Sequence, residues 1–89
     1  MPEISRFYGI SVYIYFERTA RHHAPHFHAS YGDYDASFAI DPPQLIAGTL
    51  PRRQERLVLA WAELHQEDLM NNWKRAIIGR NPLPIEGLR

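Results

Sequence analysis

The sequence predicts an α+β fold, with a three- or four-stranded antiparallel β-meander and one or two C-terminal α-helices packed on one face of it. In the first half of the chain apolar and polar residues alternate, which is typical of half-buried strands. From residue 51 onward apolar residues recur at intervals of three and four, as on one side of a helix. The 89 residues suffice for one hydrophobic core. We expect a single domain over residues 1–79 and a C-terminal tail over residues 80–89.

The first predicted strand covers residues 10–16. Its apolar side chains fall on one face, and Tyr13 and Tyr15 fall on the other. The following residues, 17–25, are charged, rich in histidine and end in a proline, which is typical of a loop.

Two further alternating runs, residues 26–31 and 34–41, flank Gly32 and Asp33. A two-residue connection with glycine first is preferred in tight hairpin turns, and it determines which residues of the two strands are opposite each other. The predicted pairs on the apolar face are Tyr31 with Tyr34, Ala29 with Ala36, and Phe27 with Phe38. Those on the other face are Ser30 with Asp35, His28 with Ser37, and His26 with Ala39. Asp35 is a diagonal neighbour of His28 in this register, so we expect a hydrogen bond between their side chains.

Two prolines place a turn over residues 41–44, and residues 45–48 are a candidate short edge strand. The helical pattern extends to residue 76 and fits one helix or two; if there are two, the kink or short turn between them falls in the polar stretch 65–68. Pro51 suits the first turn of this helical region, and Gly79 suits its end. We expect Trp61 and Trp73 to pack in the core.

Composition excludes several classes of protein. The formal net charge is zero, so no overall field attracts nucleic acid or an anionic membrane. There is no cysteine, which excludes disulfide scaffolds and thiolate metal sites. With no signal-peptide pattern and no apolar run long enough to span a bilayer, we expect a cytoplasmic protein without a membrane partner. The small core also makes a homodimer favourable.

The distinctive feature of the sequence is a histidine cluster of His22, His23, His26 and His28. His26 and His28 are two residues apart on a predicted strand, so both side chains project from one face. If the loop brings His22 back to them, these three imidazoles are candidate zinc ligands with water in the fourth position. Asp35 would then join or orient the ligands.

A second hypothesis is a metal-free nuclease or other hydrolase. His22, His26 and His28 are its candidate acid and base, since imidazole titrates near neutral pH. Asp35 is a further candidate catalytic residue, and Arg21 or Arg18 would hold a phosphate.

A third hypothesis is a binding surface on the exposed face of the sheet, and we favour it. Tyr13 and Tyr15 would add aromatic rings to His26 and His28, with Arg21 nearby, and such a patch suits stacking against bases or partner side chains. The candidate phosphate contacts at the start of the helical region are Arg52 and Arg53. The expected partners are another protein, RNA or DNA.

The element Pro25-His26-Phe27-His28-Ala29, with Gly9-Ile10, Tyr31-Gly32 and the residues around Trp61, closely resembles a family of small bacterial proteins known as domain of unknown function four-one-six-zero. The resemblance covers nearly the whole chain, although Arg21 replaces an aspartate that is common in the family. Genes of this family often stand beside another small gene. The resemblance therefore implies a component of a two-gene, toxin–antitoxin-like system whose partner is the product of that neighbouring gene.

Overall fold

The computed structural model describes residues 3–17 and 24–89. Its elements are β1 (Glu3–Phe7), β2 (Ile10–Tyr13), β3 (His26–Tyr31), β4 (Tyr34–Ile40), β5 (Pro43–Gly48), α1 (Arg52–Leu64) and α2 (Gln66–Ile77). The strands form one sheet in sequence order, each antiparallel to its neighbour. The predicted α+β class with an antiparallel meander and C-terminal helices is confirmed, and the sheet has five strands where three or four were predicted.

The additional strand is β1, which the alternation of the sequence does not reveal. Ile4 and Ser5 are consecutive and both buried, and the pairing with β2 shifts between Glu3 and Ser5, so the period of two is interrupted. A two-residue turn of Tyr8 and Gly9 joins β1 to β2, with positive φ angles of 50° and 77°. The predicted strand over residues 10–16 is shorter in the structure, because the strand ends at Tyr13.

The central hairpin of β3 and β4 has the register that the sequence predicts. All the predicted pairs, from Tyr31 with Tyr34 to His26 with Ala39, are formed. Phe27 and Phe38 stack in the core with ring centroids 5.3 Å apart, whereas the side chains that alternate with them lie on the opposite face. The register thus places His26 and His28 away from the core.

The last strand, β5, forms an edge of the sheet and contains a bulge. Ser37 pairs with Ala47 and Phe38 pairs with Leu45, so Ile46 has no counterpart in β4. The strand begins at Pro43, earlier than predicted, since proline is tolerated at the first position of an edge strand.

Of the two alternatives, one helix or two, the structure has two, and they divide at His65, the first residue of the polar stretch 65–68. The His65 amide donates to carbonyl groups of α1, and its own carbonyl accepts from Leu69 in α2. Trp61 and Leu69 are fully buried and Trp73 nearly so, which confirms the predicted core positions of both tryptophans. No helix in the described part of the chain is long and apolar enough to cross a membrane.

Residues 80–89 contain no helix or strand, yet they contact the core. The Ile85 side chain is buried, and its amide donates to the carbonyl of Ile4 at 2.7 Å. The indole Nε1 of Trp61 donates to the carbonyl of Glu86 at 2.8 Å. This segment therefore covers the outer edge of β1 and one side of the central tryptophan.

Candidate functional site

The candidate site lies on the sheet face opposite the buried phenylalanines. His28 occupies the central strand β3 and is directly paired with Tyr13 of β2 and Ser37 of β4. These three side chains form a row across the sheet. Each of them is half-buried, so the row is accessible without being fully exposed.

Aromatic rings surround His28. The Tyr15 ring stacks on its imidazole with centroids 4.4 Å apart and an angle of 8° between the planes. The His26 ring meets it edge-on at 5.1 Å and also contacts the Trp73 ring at 5.0 Å. The structure thus brings together Tyr15, His26 and His28, as the alternation of the sequence predicts, and it adds Trp73, for which we expected a core position and no site role.

Hydrogen bonds restrict both imidazoles. Nδ1 of His28 lies 3.1 Å from the Ser37 hydroxyl, and its Nε2 is buried with no hydrogen-bond partner among residues 3–17 and 24–89. Nδ1 of His26 lies 2.8 Å from the carbonyl oxygen of Ala24, which can only accept, so this nitrogen carries the proton.

The hydrogen bond that we predicted between Asp35 and His28 is not formed, and Ser37 takes that position. Directly opposed residues in an antiparallel pair have Cβ atoms about 5 Å apart, whereas diagonal ones are about 7–8 Å apart. Ser37 is directly opposed to His28, and the Asp35 side chain stays exposed at the same surface.

Burial keeps both stacked rings neutral. Desolvation, and then the positive charge that His26 can carry, lower the pKa of His28, against a weaker opposite effect of Glu17 and Asp35. Desolvation raises the pKa of Tyr15, and the neighbouring Glu17 carboxylate raises it further. At pH 7 the stack therefore consists of an uncharged imidazole and an uncharged phenol.

A cleft of about 440 Å³ opens beside this stack, and we call it the tyrosine–histidine cleft. Its lining residues are Tyr13, Tyr15, His28, Asp35, Ala36, Ser37, Ala47 and Gly48. Aromatic side chains line the β2 and β3 side, whereas small residues predominate on β4 and β5.

The bulge in β5 shapes the small-residue side of the cleft. Gly48 follows the bulge with a φ of +75°, and a Cβ there would collide with the carbonyl oxygen of Asp35 and lie 2.9 Å from Cα of Ala36. Glycine alone permits this close approach of β5 to β4. Bulges are frequent next to functional sites because they redirect the strand. The sequence does not mark Ala47 and Gly48 as site residues, because the bulge at Ile46 that positions them exists only where β5 pairs with β4.

The loop candidates Arg18, Arg21 and His22, and the neighbouring His23, lie outside the described residues. Arg52 and Arg53 are exposed at the start of α1 and do not line the cleft.

The predicted zinc site depends on a residue outside the described ranges. Within residues 3–17 and 24–89, no group of three histidine, aspartate or glutamate side chains is arranged to hold a metal ion. His26 and His28 therefore supply at most two ligands, and His22, the third candidate, is not described.

Comparison with protein families identifies the chain. A family model with the description Domain of unknown function (DUF4160) matches residues 9–74, which include every residue that lines the cleft. No curated protein and no solved structure matches the chain. The family match covers most of the chain and agrees with the Pro-His-Phe-His element of β3, and we conclude that the chain belongs to the family Domain of unknown function (DUF4160).

Proposed function

We propose that this chain is a binding module that engages a partner protein through the tyrosine–histidine cleft. The observation that carries this proposal is the stack of Tyr15 on His28 beside a surface of small residues. Rigid aromatic rings provide large contact areas at a low entropic cost, and a recess beside them accepts a side chain of the partner. As the partner we propose the product of the neighbouring small gene, in a two-gene bacterial system.

The state of the imidazoles supports binding over catalysis. A general acid or base must present a nitrogen to the reacting group. In His28 one ring nitrogen is hydrogen-bonded to Ser37 and the other is buried. In His26, Nδ1 donates to a backbone carbonyl, which leaves the lone pair on Nε2 as a candidate base. No described carboxylate or second histidine is hydrogen-bonded to this ring, so the nuclease or hydrolase hypothesis stays the alternative.

We also propose that the protein acts in the cytoplasm. It contains no cysteine, whereas extracellular domains of this size commonly depend on disulfide bonds.

Co-expression with the product of the neighbouring gene tests the proposed function. We expect a complex that co-elutes in size-exclusion chromatography, and we expect Tyr15→Ala to weaken the affinity in calorimetry by about tenfold or more, as for an aromatic residue at the centre of an interface. Tyr34→Ala is the matched control, since Tyr34 is exposed and does not line the cleft. Circular dichroism establishes that both variants are folded. The absence of a complex, or equal affinities of both variants, would refute the proposal.

A further inference from the structure

We infer that the tyrosine–histidine cleft binds a cationic side chain, specifically an arginine that the partner protein presents. This inference rests on the proposed function and names the chemical group that the cleft accepts. Three features support it: the charge of the cleft, the aromatic rings on one side of it, and the small residues on the other.

The charges at the cleft are negative. The exposed Asp35 side chain lines it, and its charge reaches both Tyr15 and His28. The Glu17 carboxylate lies near Tyr15, and its charge raises the pKa of that phenol. No lysine or arginine of the described residues lines the cleft, and the His28 ring is neutral at pH 7 because burial lowers its pKa. A positive group entering the cleft would therefore meet the Asp35 carboxylate, with Glu17 close to Tyr15, and no described basic side chain.

The shape and chemistry of the cleft favour guanidinium over other cations. Guanidinium is planar, stacks on aromatic rings and pairs with a carboxylate through two parallel hydrogen bonds. Tyr13 and Tyr15 supply the rings, and Asp35 supplies the carboxylate. Ala47 and Gly48 leave space for the aliphatic part of a long side chain, in a cleft of about 440 Å³.

The same charges disfavour a phosphate. Nucleic-acid binding depends on basic side chains that neutralise the backbone, and a phosphate in this cleft would be repelled by Asp35 and Glu17. RNA or DNA is therefore the competing occupant that the experiment must exclude.

A titration of the isotope-labelled full chain, followed by amide chemical shifts, tests the inference. The probe is the capped peptide acetyl-Gly-Arg-Gly-amide, and its control is the same peptide with citrulline, which has nearly the same shape without the charge. We expect the arginine peptide to shift the amide signals of Tyr15, His28 and Asp35 in a saturable way. We expect the citrulline peptide to bind about tenfold more weakly, as for loss of a charged hydrogen-bond partner.

Two variants separate a specific carboxylate from the general charge of the surface. Asp35→Asn removes the charge inside the cleft, and we expect it to weaken binding of the arginine peptide by about tenfold. Asp33→Asn removes an equal charge from the adjacent turn, which does not line the cleft, and we expect binding to be unchanged. Both side chains are exposed, and asparagine has nearly the same size and shape as aspartate, so both variants should fold.

The outcomes are distinct. Equal binding of both peptides, equal effects of both variants, or no binding of the arginine peptide would overturn the inference. So would a five-nucleotide uridine RNA that shifts the same amide signals when the arginine peptide does not. If the complex with the neighbouring gene product is lost in Tyr15→Ala and unchanged in Asp35→Asn, the proposed function holds and the arginine inference fails.

Discussion

The hydroxyl oxygen of Ser37 lies 3.1 Å from Nδ1 of His28, to which it is directly opposed across β3 and β4. This pair holds the imidazole in the orientation in which Tyr15 stacks on it. Nε2 of the same ring is buried and has no hydrogen-bond partner in the described ranges. Within these ranges, Ser37 is therefore the single hydrogen-bond partner of the His28 ring.

Removing this hydrogen bond should destabilise the protein. Ser37→Ala leaves Nδ1 of His28 without its partner in a half-buried position, so we expect the free energy of unfolding to fall by about 1 kcal/mol. Urea denaturation measures it. Ser30→Ala is the control, because Ser30 lies on the same face of β3 and its side chain forms no hydrogen bond among the described residues. An equal loss of unfolding free energy in Ser30→Ala would contradict a stabilising hydrogen bond between Ser37 and His28.

Stability should depend on pH through His28. Burial lowers the pKa of His28 in the folded state below its ordinary value of 6.5, so the unfolded chain takes up a proton first as the pH falls. Above pH 6.5, the ordinary pKa of histidine, the neutral His28 ring contributes its full share of the folding stability. This share is lost as the pH falls below 6.5 and through the lower pKa of the folded state. Urea denaturation at several pH values should show a weaker decline between pH 7 and pH 5 for His28→Gln than for the natural chain. Identical pH profiles would argue against a lowered pKa.

The backbone at Gly48 should not tolerate a side chain. Gly48→Ala introduces a Cβ that collides with the Asp35 carbonyl, at a residue whose φ is +75°. We expect a loss of about 2–3 kcal/mol in thermal or urea unfolding. Gly32→Ala is the matched control, because Gly32 also has a positive φ of 56° but a Cβ there would meet nothing within 4 Å. Its cost should be limited to the backbone conformation, about 1 kcal/mol. Equal losses of unfolding free energy in Gly48→Ala and Gly32→Ala would mean that β4 leaves room for a side chain at position 48.

The C-terminal segment should contribute to the core. Ile85→Ala empties a buried position between β1 and the helices, and we expect unfolding to require about 2–3 kcal/mol less free energy. Leu83→Ala removes a similar side chain that is 55% exposed, so its effect should stay within about 0.5 kcal/mol. Urea denaturation of both variants measures these losses of unfolding free energy. If the C-terminal segment were dispensable for stability, both losses would be equally small.

We expect that zinc does not coordinate the His28 ring. Coordination through Nδ1 would break its bond to Ser37, and coordination through Nε2 would require the residues that enclose this atom to make room for the ion. We expect the ring signals of His28 in nuclear magnetic resonance spectra to be unchanged when zinc is added to untagged protein. Uptake of one zinc ion per chain that disappears in His28→Gln would instead restore the metal-dependent hydrolase hypothesis.

The sequence by itself determined the central hairpin and the place at which two helices would separate. Gly32 and Asp33 allow a two-residue turn, and once the turn is set every pair of β3 and β4 follows, because side chains alternate with a period of two. The polar stretch that begins at His65 marks this place, and the structure shows that the helices do separate there. These features depend on neighbours in the chain, so a local pattern is sufficient to predict them.

The tertiary structure decided the features that depend on distant residues. The irregular pairing of β1 interrupts its alternation, and the bulge of β5 exists only where β4 is beside it. Ile85 is buried where its amide donates to the carbonyl of Ile4 in β1, far away in the sequence. The choice of Ser37 over Asp35 as the partner of His28 followed from the distances between strands. A sequence pattern indicates which face a side chain occupies, and the packing of separate elements determines what that side chain contacts.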